Sequence, residues 1–309
     1  MYLGCKIDKE EAMDIVFVIL HYNTIDETRK CAASIAHSFY MTAYKIIIID
    51  NDSPNRTGIE LAAEYKDNDK IDVIIAPNNL GFAKGNNLGI EMARKMEPKY
   101  ICCTNNDTVF EQLDFFEQLD VEYNKSKAAV IGPMVIRKNG EIQKYDRKIK
   151  TMNEYEKELY TLLHGDPILI TIKKALIQFP GVKAIRDCVF RKDYKEFPGC
   201  FLERREHIVL HGCCLIFTKE FFDVYQGFYD KTFMYKEEEL LYLMAEKEKL
   251  NMVYCPSFRV RHLEDAATVS VYRTSKTKNK FRREMQAESI KILMEYMENI
   301  VKDGDSCGK

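Results

Sequence analysis

The sequence lacks three features that would each point to a particular class of protein. It has no large net charge, since 46 Lys and Arg nearly balance 48 Asp and Glu, so its composition does not suggest a nucleic-acid partner. It has no run of about 18 apolar residues, the length that a transmembrane helix needs. None of its ten cysteines stands in C-x-x-C spacing, which argues against a zinc or redox motif.

What the chain does contain is typical of a globular intracellular protein. Its 309 residues are 46% hydrophobic and 30% charged, enough for one large domain or two modest ones. The pairs Cys102-Cys103 and Cys213-Cys214 lie inside apolar runs, and Met1–Ala12 is short and charged, unlike a secretory signal. We therefore expect a cytoplasmic location with reduced thiols.

The segment Tyr100–Val109 organises the rest of the chain. Residues suited to a buried strand lead into Asn105-Asn106-Asp107, and a helical pattern follows at Glu111–Asn124. A carboxylate at the end of a parallel strand is where α/β sheets place ligand chemistry. Asp107 among amide oxygens suits Mg²⁺ or Mn²⁺ together with a phosphate ligand. The alternative is an Asx-rich turn that caps the next helix.

Three earlier apolar runs are predicted to be parallel strands of the same sheet. They are Ile15–Leu20, Lys45–Ile49 and Ile71–Ala76. Each run ends in polar residues, and Asp50 at the second tip could accept hydrogen bonds from a ribose or a base edge. A plain Asx turn is the alternative interpretation of that tip.

The third strand leads into a Gly-rich and Asn-rich loop at residues 77–90 that opens into a helix. Such loops let the backbone approach a ligand and direct helix N–H groups at it. The loop is neither G-x-G-x-x-G nor a P-loop, because Lys84 lacks the Walker spacing. Four strands separated by helices predict a doubly wound α/β sheet whose polar carboxyl ends form a nucleotide site.

Four short motifs occur in order along the chain. They are His-Tyr-Asn at 21–23, Ile-Ile-Asp-Asn-Asp-Ser-Pro at 48–54, Asn-Asn-Leu-Gly-Phe-Ala-Lys-Gly-Asn-Asn-Leu-Gly at 78–89 and Thr-Asn-Asn-Asp-Thr at 104–108. Together they resemble family 2 glycosyltransferases of the GT-A fold, over about residues 14–137 and 207–270. The resemblance implies a Rossmann-like, mostly parallel central sheet flanked by helices, with a helical insertion and a C-terminal helix.

The resemblance also implies roles for individual residues. Asp107 would be the metal-binding carboxylate of an Asp-x-Asp motif that has Asn105 in its first position here. The segment Phe233–Leu241 resembles the family's second signature, in which Glu238 would be the catalytic base. A solvated first helical turn is the alternative for these acids. His262 would lie by the metal or the diphosphate, or it is simply a surface histidine after a strand.

A divalent metal, Mn²⁺ or Mg²⁺, and a nucleotide-diphosphate sugar are the ligands that the resemblance implies. Asp50 would contact the base, and His21 could line the pocket from the first strand's tip. The other four histidines, including His211, receive no function from their sequence neighbours. The predicted nucleotide-binding residues are His21, Asn23, Asp50, Asn51, Asn79, Phe82, Lys84, Asn86, Asn105 and Asn106.

The predicted activity is inverting glycosyl transfer from the nucleotide sugar to a hydroxyl of a glycan or lipid-linked glycan. The acceptor hydroxyl must lose a proton as it attacks, which Glu238 could accept. By family analogy the setting is capsule, exopolysaccharide or O-antigen assembly at the inner face of the membrane. A nucleotidyltransferase and a non-catalytic nucleotide-sugar-binding partner are the alternatives, the latter if Glu238 faces away from the cleft.

We expect a catalytic domain over residues 1–275, with an insertion at about 140–206 and a helical tail at 276–309. Within the insertion, Pro167–Phe179 has an apolar composition with a dibasic centre at Lys173 and Lys174. It could dock on a membrane that carries the acceptor, or belong to a helical subdomain that packs on the core. The tail helix is expected to pack on the catalytic domain or to form a homodimer.

Overall fold

The protein is described by a computed structural model that covers residues 13–143, 148–165, 201–263 and 275–306. Its first half is built on four parallel strands in the order β3-β2-β1-β4. Strands β1, β2 and β4 form where isoleucine, valine and cysteine runs are buried on both faces of the sheet, whereas β3 is a partly exposed edge strand. Their bounds are β1 (Ile15–His21), β2 (Tyr44–Asp50), β3 (Ile71–Ile75) and β4 (Tyr100–Asn105).

Five further strands extend the sheet beyond β4, in the order β8-β6-β9-β5, while β7 pairs with β9. Only β5, β7 and β8 run opposite to the other six strands, so the predicted mostly parallel sheet is confirmed. Their bounds are β5 (Thr108–Phe110), β6 (Val130–Arg137), β7 (Arg205–Glu206), β8 (Cys214–Phe217) and β9 (Met252–His262).

Helices cover both faces of the sheet, and two hydrophobic layers form the core. The helices of the first half are α1 (Ile25–Ser38), α2 (Thr57–Glu64), α3 (Gly81–Arg94) and α4 (Phe115–Ser126). Those of the second half are α5 (Met152–His164), α6 (Lys219–Phe222), α7 (Glu237–Lys247) and α8 (Ser275–Ser306). Among the described residues, no helix has both the length and the apolar character needed to cross a membrane.

The C-terminal helix packs on the rest of the domain. Ile290 and Leu293 of α8 are fully buried in a cluster with Tyr155 of α5 and Leu240 of α7. Helix α5 lies in the predicted insertion and begins at a capping box formed by Thr151 and its N3 glutamate. The segment Pro167–Phe179, with its two predictions, lies outside the described residues, and homodimer formation stays a prediction.

The apolar run His207–Phe217 predicts one long strand by sequence. This prediction is wrong in its first two-thirds, because only Cys214–Phe217 joins the sheet there. The Cys213 carbonyl accepts hydrogen bonds from the Asn105 amide (2.9 Å) and from the Thr104 and Thr108 hydroxyls (3.0 and 3.2 Å). Residues 211–213 therefore form a turn, called the 211–213 turn below, against the end of β4.

Two other boundaries also differ from the sequence-based expectation. The sequence predicts two short strands at 252–255 and 258–260, but both runs belong to the single strand β9, since a register irregularity opposite Pro133 and Met134 of β6 accommodates the interruption. Helix α4 begins at Phe115 rather than near residue 111, because residues 108–110 pair with β9 as β5.

Candidate active site

Polar residues at the carboxyl ends of β1, β2 and β4 meet at one edge of the sheet. In register, His21 lies opposite Asp50, and Leu20 lies opposite Asn105. Because these strands are parallel and adjacent, their polar ends converge, as the sequence predicts. The structure thereby brings the predicted nucleotide-binding segments together.

His21 lies beneath this edge rather than in it. Its side chain is fully buried, with Nδ1 2.7 Å from Thr28 Oγ1 and Nε2 2.9 Å from Thr57 Oγ1. Burial lowers the pKa of His21 to about 4, so the ring is neutral at physiological pH. The expectation that His21 lines the pocket is therefore corrected: both ring nitrogens already have partners, and the ring supports the loops above it.

Asp50 is also almost completely buried. It accepts hydrogen bonds from the hydroxyl and the backbone amide of Ser53, and burial raises its pKa. A Cβ on Gly58 would overlap the Asp50 carboxylate, so the glycine leaves room for it at the start of α2. The carboxylate shapes the β2 tip, and its contact with a base stays a prediction.

Asparagine side chains join the loops that follow β1, β2 and β3. Asn51 Nδ2 donates to Asn79 Oδ1 (3.0 Å) and to the Gly81 carbonyl (3.2 Å), and Asn51 Oδ1 accepts from the Leu80 amide (2.8 Å). The backbone N–H of Asn23 donates to the Ser53 hydroxyl at 2.9 Å. These predicted binding residues are close together and hold one another in place.

The start of α3 presents the remaining predicted nucleotide-binding residues. Asn86 is buried and donates to the Phe82 carbonyl at 2.9 Å, which stabilises the first helical turn. The Phe82 ring packs edge-to-face on Phe228 with centroids 5.7 Å apart. Lys84 is exposed and available for an anionic ligand. Whether any of these residues binds a nucleotide stays a prediction.

Asp107 and His262, which the sequence separates widely, are in contact. Thr108 pairs with His262 in the antiparallel β5–β9 ladder, and the Leu263 amide donates to the Asp107 carbonyl at 2.9 Å. The Asp107 Oδ1 atom lies 3.2 Å from His262 Nε2. The other ring nitrogen, Nδ1, faces Gln143 Oε1 at 3.1 Å and must donate to it.

This pair fits a divalent cation. With Nδ1 donating to Gln143, Nε2 either donates a second proton to the Asp107 carboxylate or directs a lone pair at it, and the second form leaves room for a cation. Two acceptors that face each other need a proton or a cation between them. A carboxylate oxygen and an imidazole held by an outer hydrogen bond are typical ligands of Mn²⁺.

Asn106 does not take part in this pair. Its Nδ2 donates to the Thr24 and Thr28 hydroxyls at 2.7 and 2.9 Å, so its amide points to the start of α1. Within the predicted Asn105-Asn106-Asp107 motif, Asn106 therefore positions the loop, and the carboxylate of Asp107 contacts His262.

The sequence-based argument missed two residues that lie beside this pair. Ligand atoms of His211, Cys213 and His262 all lie within 4.8 Å of one another, and the two imidazole rings are 5.6 Å apart. The only sequence signal was a His-x-Cys spacing just before an apolar run, which is too short to mark a site.

Glu238 contacts the 211–213 turn at Gly212. It is partly exposed in the first turn of α7, and the Gly212 amide donates to its carboxylate. Burial and the charge of Glu239 raise the pKa of Glu238 to about 7. Burial raises the pKa of the Cys213 thiol, and Cys214, Asp107 and Glu238 add to that rise, so both carboxylates lie near the turn.

The chain before α7 is held by two other parts of the molecule. The Phe82 amide donates to the Phe233 carbonyl at 2.8 Å, which ties the start of α3 to this segment. The Ser289 hydroxyl of α8 donates to the Met234 carbonyl, also at 2.8 Å. The start of α3 and the C-terminal helix α8 therefore fix the position at which α7, the helix that carries Glu238, begins.

Helix α5 supplies a third constraint on this region. Lys236 is the residue before α7, and its Nζ lies 2.9 Å from Glu239 Oε1 and 3.5 Å from Glu158 Oε1 of α5. The Lys236 side chain is only 12% exposed, so these ion pairs are less screened than surface pairs. The predicted insertion thus contacts the helix that carries Glu238.

Replacement of Gly212 by alanine is expected to displace Glu238. A Cβ at this position would overlap Glu238 Oε1, so the carboxylate or the 211–213 turn must move. A misplacement of about 1 Å can lower a rate about 100-fold, and we expect a loss of that order in kcat. Steady-state kinetics of Gly212→Ala would measure it.

The matched control is Gly132→Ala in β6. Its Cβ would meet only the flexible end of the Leu210 side chain, at 3.0 Å. We expect kcat to change little in this variant. Equal kcat values for Gly212→Ala and the wild type would contradict the need for a close approach at Gly212.

Known proteins resemble this chain in sequence profile and in fold. The profile of the family described as Glycosyl transferase family 2 matches residues 16–192, more than half of the chain. Residues 1–349 of TarS from S. aureus align with a TM-score of 0.51 and 11% identity, over 88% of this chain and 71% of that one. No curated protein matches the chain.

A second TarS structure is a complex with UDP-GlcNAc, and it aligns with a TM-score of 0.51 and 12% identity. That alignment covers 88% of this chain and 64% of the TarS chain. At these identities the likeness concerns the fold alone, and it confirms the predicted GT-A architecture. With its fold and its matching profile, the chain belongs to glycosyl transferase family 2.

Proposed function

We propose that the protein is a metal-dependent, inverting glycosyltransferase. It transfers a sugar, in our proposal a hexose, from a nucleotide-diphosphate sugar to a hydroxyl of a glycan or lipid-linked glycan. The observation that carries this proposal is that the Asp107–His262 pair and Glu238 both lie beside the 211–213 turn, since the His262 ring packs on His211 and the Glu238 carboxylate contacts Gly212. Inverting transfer needs a leaving-group site and a base on opposite sides of one reacting carbon.

The two groups beside the turn would serve the two partners of the reaction, the attacking hydroxyl and the departing diphosphate. Glu238 accepts the proton of the attacking hydroxyl, and a pKa near 7 suits a base that must be ionised yet able to take a proton. Asp107 and His262 would hold the divalent metal, which when bound offsets negative charge on the departing diphosphate. The fixed position of Glu238 against Gly212 orients the base before the acceptor arrives.

The position of Glu238 also bears on the alternative of a non-catalytic partner. That alternative requires Glu238 to face away from the cleft. The contact of its carboxylate with Gly212, in the turn whose Cys213 carbonyl accepts a hydrogen bond from Thr108 next to Asp107, supports an orientation toward the proposed metal ligands. This arrangement favours catalysis over binding alone.

The donor and the setting of the reaction are also part of the proposal. The solved TarS complexes contain UDP-GlcNAc and UDP, which supports a nucleotide-diphosphate sugar as the donor. By analogy with the family, we place the enzyme in the cytoplasm, at the inner face of the membrane. There it would add sugars to a capsule, exopolysaccharide or related surface glycan.

A thermal-shift panel of UDP, GDP, dTDP and CDP, each with Mn²⁺, Mg²⁺ or EDTA, tests the proposed donor site. A nucleotide at about 100 times its Kd adds about 2.7 kcal/mol of stability. We expect one nucleotide to raise Tm strongly, and only with metal. No shift with any nucleotide–metal pair would count against the proposal. Controls with Mn²⁺, Mg²⁺ or EDTA but no nucleotide separate metal binding from nucleotide binding.

A further inference from the structure

A set of nitrogen and sulfur atoms that could bind a metal lies beside the proposed catalytic metal ligands. Metals that prefer oxygen ligands do not need such atoms. His211, Cys213 and His262 contribute two imidazoles and a thiol whose ligand atoms all lie within 4.8 Å of one another. Asp107 adds a carboxylate oxygen 3.2 Å from His262 Nε2. Imidazole nitrogen and thiolate sulfur are the preferred ligands of Zn²⁺, whereas Mg²⁺ and Mn²⁺ favour oxygen.

The backbone around Cys213 is already held in place for such a role. Its carbonyl accepts three hydrogen bonds, from the Asn105 amide and from the Thr104 and Thr108 hydroxyls. Its side chain is only 1% exposed, so a metal-bound sulfur would be shielded from water. A ligand that is fixed before binding loses little conformational freedom when the metal arrives.

The two histidines are oriented in a compatible way. The Cys213 amide donates to His211 Nδ1 at 3.1 Å, so in this tautomer the Nδ1 lone pair faces residue 213. A metal ion bound through Nδ1 would replace that amide as its partner. On His262, Nδ1 contacts Gln143 Oε1, and Nε2 faces Asp107. Metal-binding histidines usually have such a hydrogen bond on the ring nitrogen that does not bind the metal.

We propose that His211, Cys213 and His262 form a zinc site, beside which the Asp107 carboxylate contacts His262. Binding forms a sulfur–zinc bond and releases the thiol proton to the solvent. Because His262 also belongs to the proposed catalytic metal site, the two ions cannot bind together. A zinc ion held by these ligands leaves few positions for diphosphate oxygens, so Zn²⁺ is expected to inhibit transfer. This inhibition, but not the zinc site, rests on the proposed function.

Cobalt(II) is a direct probe of the ligand set, because a thiolate ligand gives an intense charge-transfer absorption that oxygen and nitrogen ligands do not. We expect the metal-free full-length protein to show this absorption with one equivalent of Co²⁺ and to lose it when Zn²⁺ is added. Cys213→Ser should lack the band and bind Zn²⁺ at least tenfold more weakly by calorimetry. Cys255→Ser, which removes another buried thiol, is the matched control and should keep both properties.

The wild-type spectrum alone can overturn the proposal, even if Cys213→Ser does not fold. If the wild-type protein binds cobalt without a thiolate band, the proposal is wrong. It is also wrong if folded Cys213→Ser keeps the wild-type band and the wild-type zinc affinity. Stabilisation by a nucleotide with Mn²⁺ tests the proposed function separately. If that stabilisation is present and the thiolate band is absent, the zinc site fails while the glycosyltransferase proposal stands.

Discussion

Glu238→Gln is expected to lower kcat by about 10²–10⁴-fold, the usual contribution of a general base. The amide keeps the size of the side chain but cannot take the proton of the acceptor hydroxyl. Nucleotide and metal should still bind, because this variant leaves the proposed metal ligands Asp107 and His262 unchanged. Release of the nucleoside diphosphate, followed at saturating donor and acceptor, measures the loss.

The control for this substitution is Glu246→Gln, a change of the same kind at the exposed end of the same helix. It should leave kcat within about twofold of the wild-type value. Glu238→Gln with wild-type kcat would remove Glu238 from the proposed mechanism. Loss of metal-dependent nucleotide stabilisation in that variant would instead mean that the side chain supports the donor site.

The pH dependence offers a second test of Glu238. Its pKa rises from 4.5 to about 7 on folding, so wild-type kcat should increase with pH and level off above about pH 7. Because the folded protein holds this proton more tightly, the free energy of unfolding falls as pH rises from 4.5 to 7. Glu238→Gln has no carboxyl group at this position and does not lose this stability. The Tm of the variant minus the Tm of the wild type should therefore be larger at pH 8 than at pH 5.

Asp107→Asn is expected to abolish the metal-dependent part of nucleotide binding and to lower kcat/KM by about 10²–10³-fold. The amide removes the only carboxylate charge next to His262 among the described residues, and with it the attraction for a divalent cation. The thermal-shift panel, repeated with and without Mn²⁺, measures the binding loss. Steady-state kinetics across Mn²⁺ concentrations measure the activity.

Asp72→Asn is the control for this second prediction, because Asp72 is a surface acid on β3 that pairs only with Lys45 in the described structure. Such exposed pairs contribute little, so stability and activity should stay near the wild type. If Asp107→Asn kept full metal-dependent binding, the metal site would have to be sought elsewhere.

The sequence predicts a large share of the fold and part of the candidate site. Continuous β-branched runs bounded by polar turns marked β1 to β4, since a strand buried on both faces needs no polar alternation. Asp107 and Glu238 stood out because each follows a strand or opens a helix within a recognisable motif. Glycosyl transferase family 2 follows from the same motifs and from the profile match.

The directions and partners of individual side chains depended on tertiary structure. His21 and Asn106 belong to predicted motifs, yet their polar atoms contact the hydroxyls of α1 and α2 rather than an open pocket. The 211–213 turn lies within an apolar run, so the sequence pattern did not predict it. Gly212 is needed there for its contact with Glu238, which is distant in sequence. Such contacts join residues far apart in sequence, so no local pattern records them.

The sequence by itself determined the class of fold, the family and the two carboxylates proposed for the chemistry, because these depend on hydrophobic periodicity and short motifs. Only the tertiary structure placed His211 and Cys213 beside His262 and tied the segment before α7, the helix that carries Glu238, to α3, α5 and α8. Strand register and helix packing decide those distances, and they arise from the burial of the whole chain rather than from any single segment.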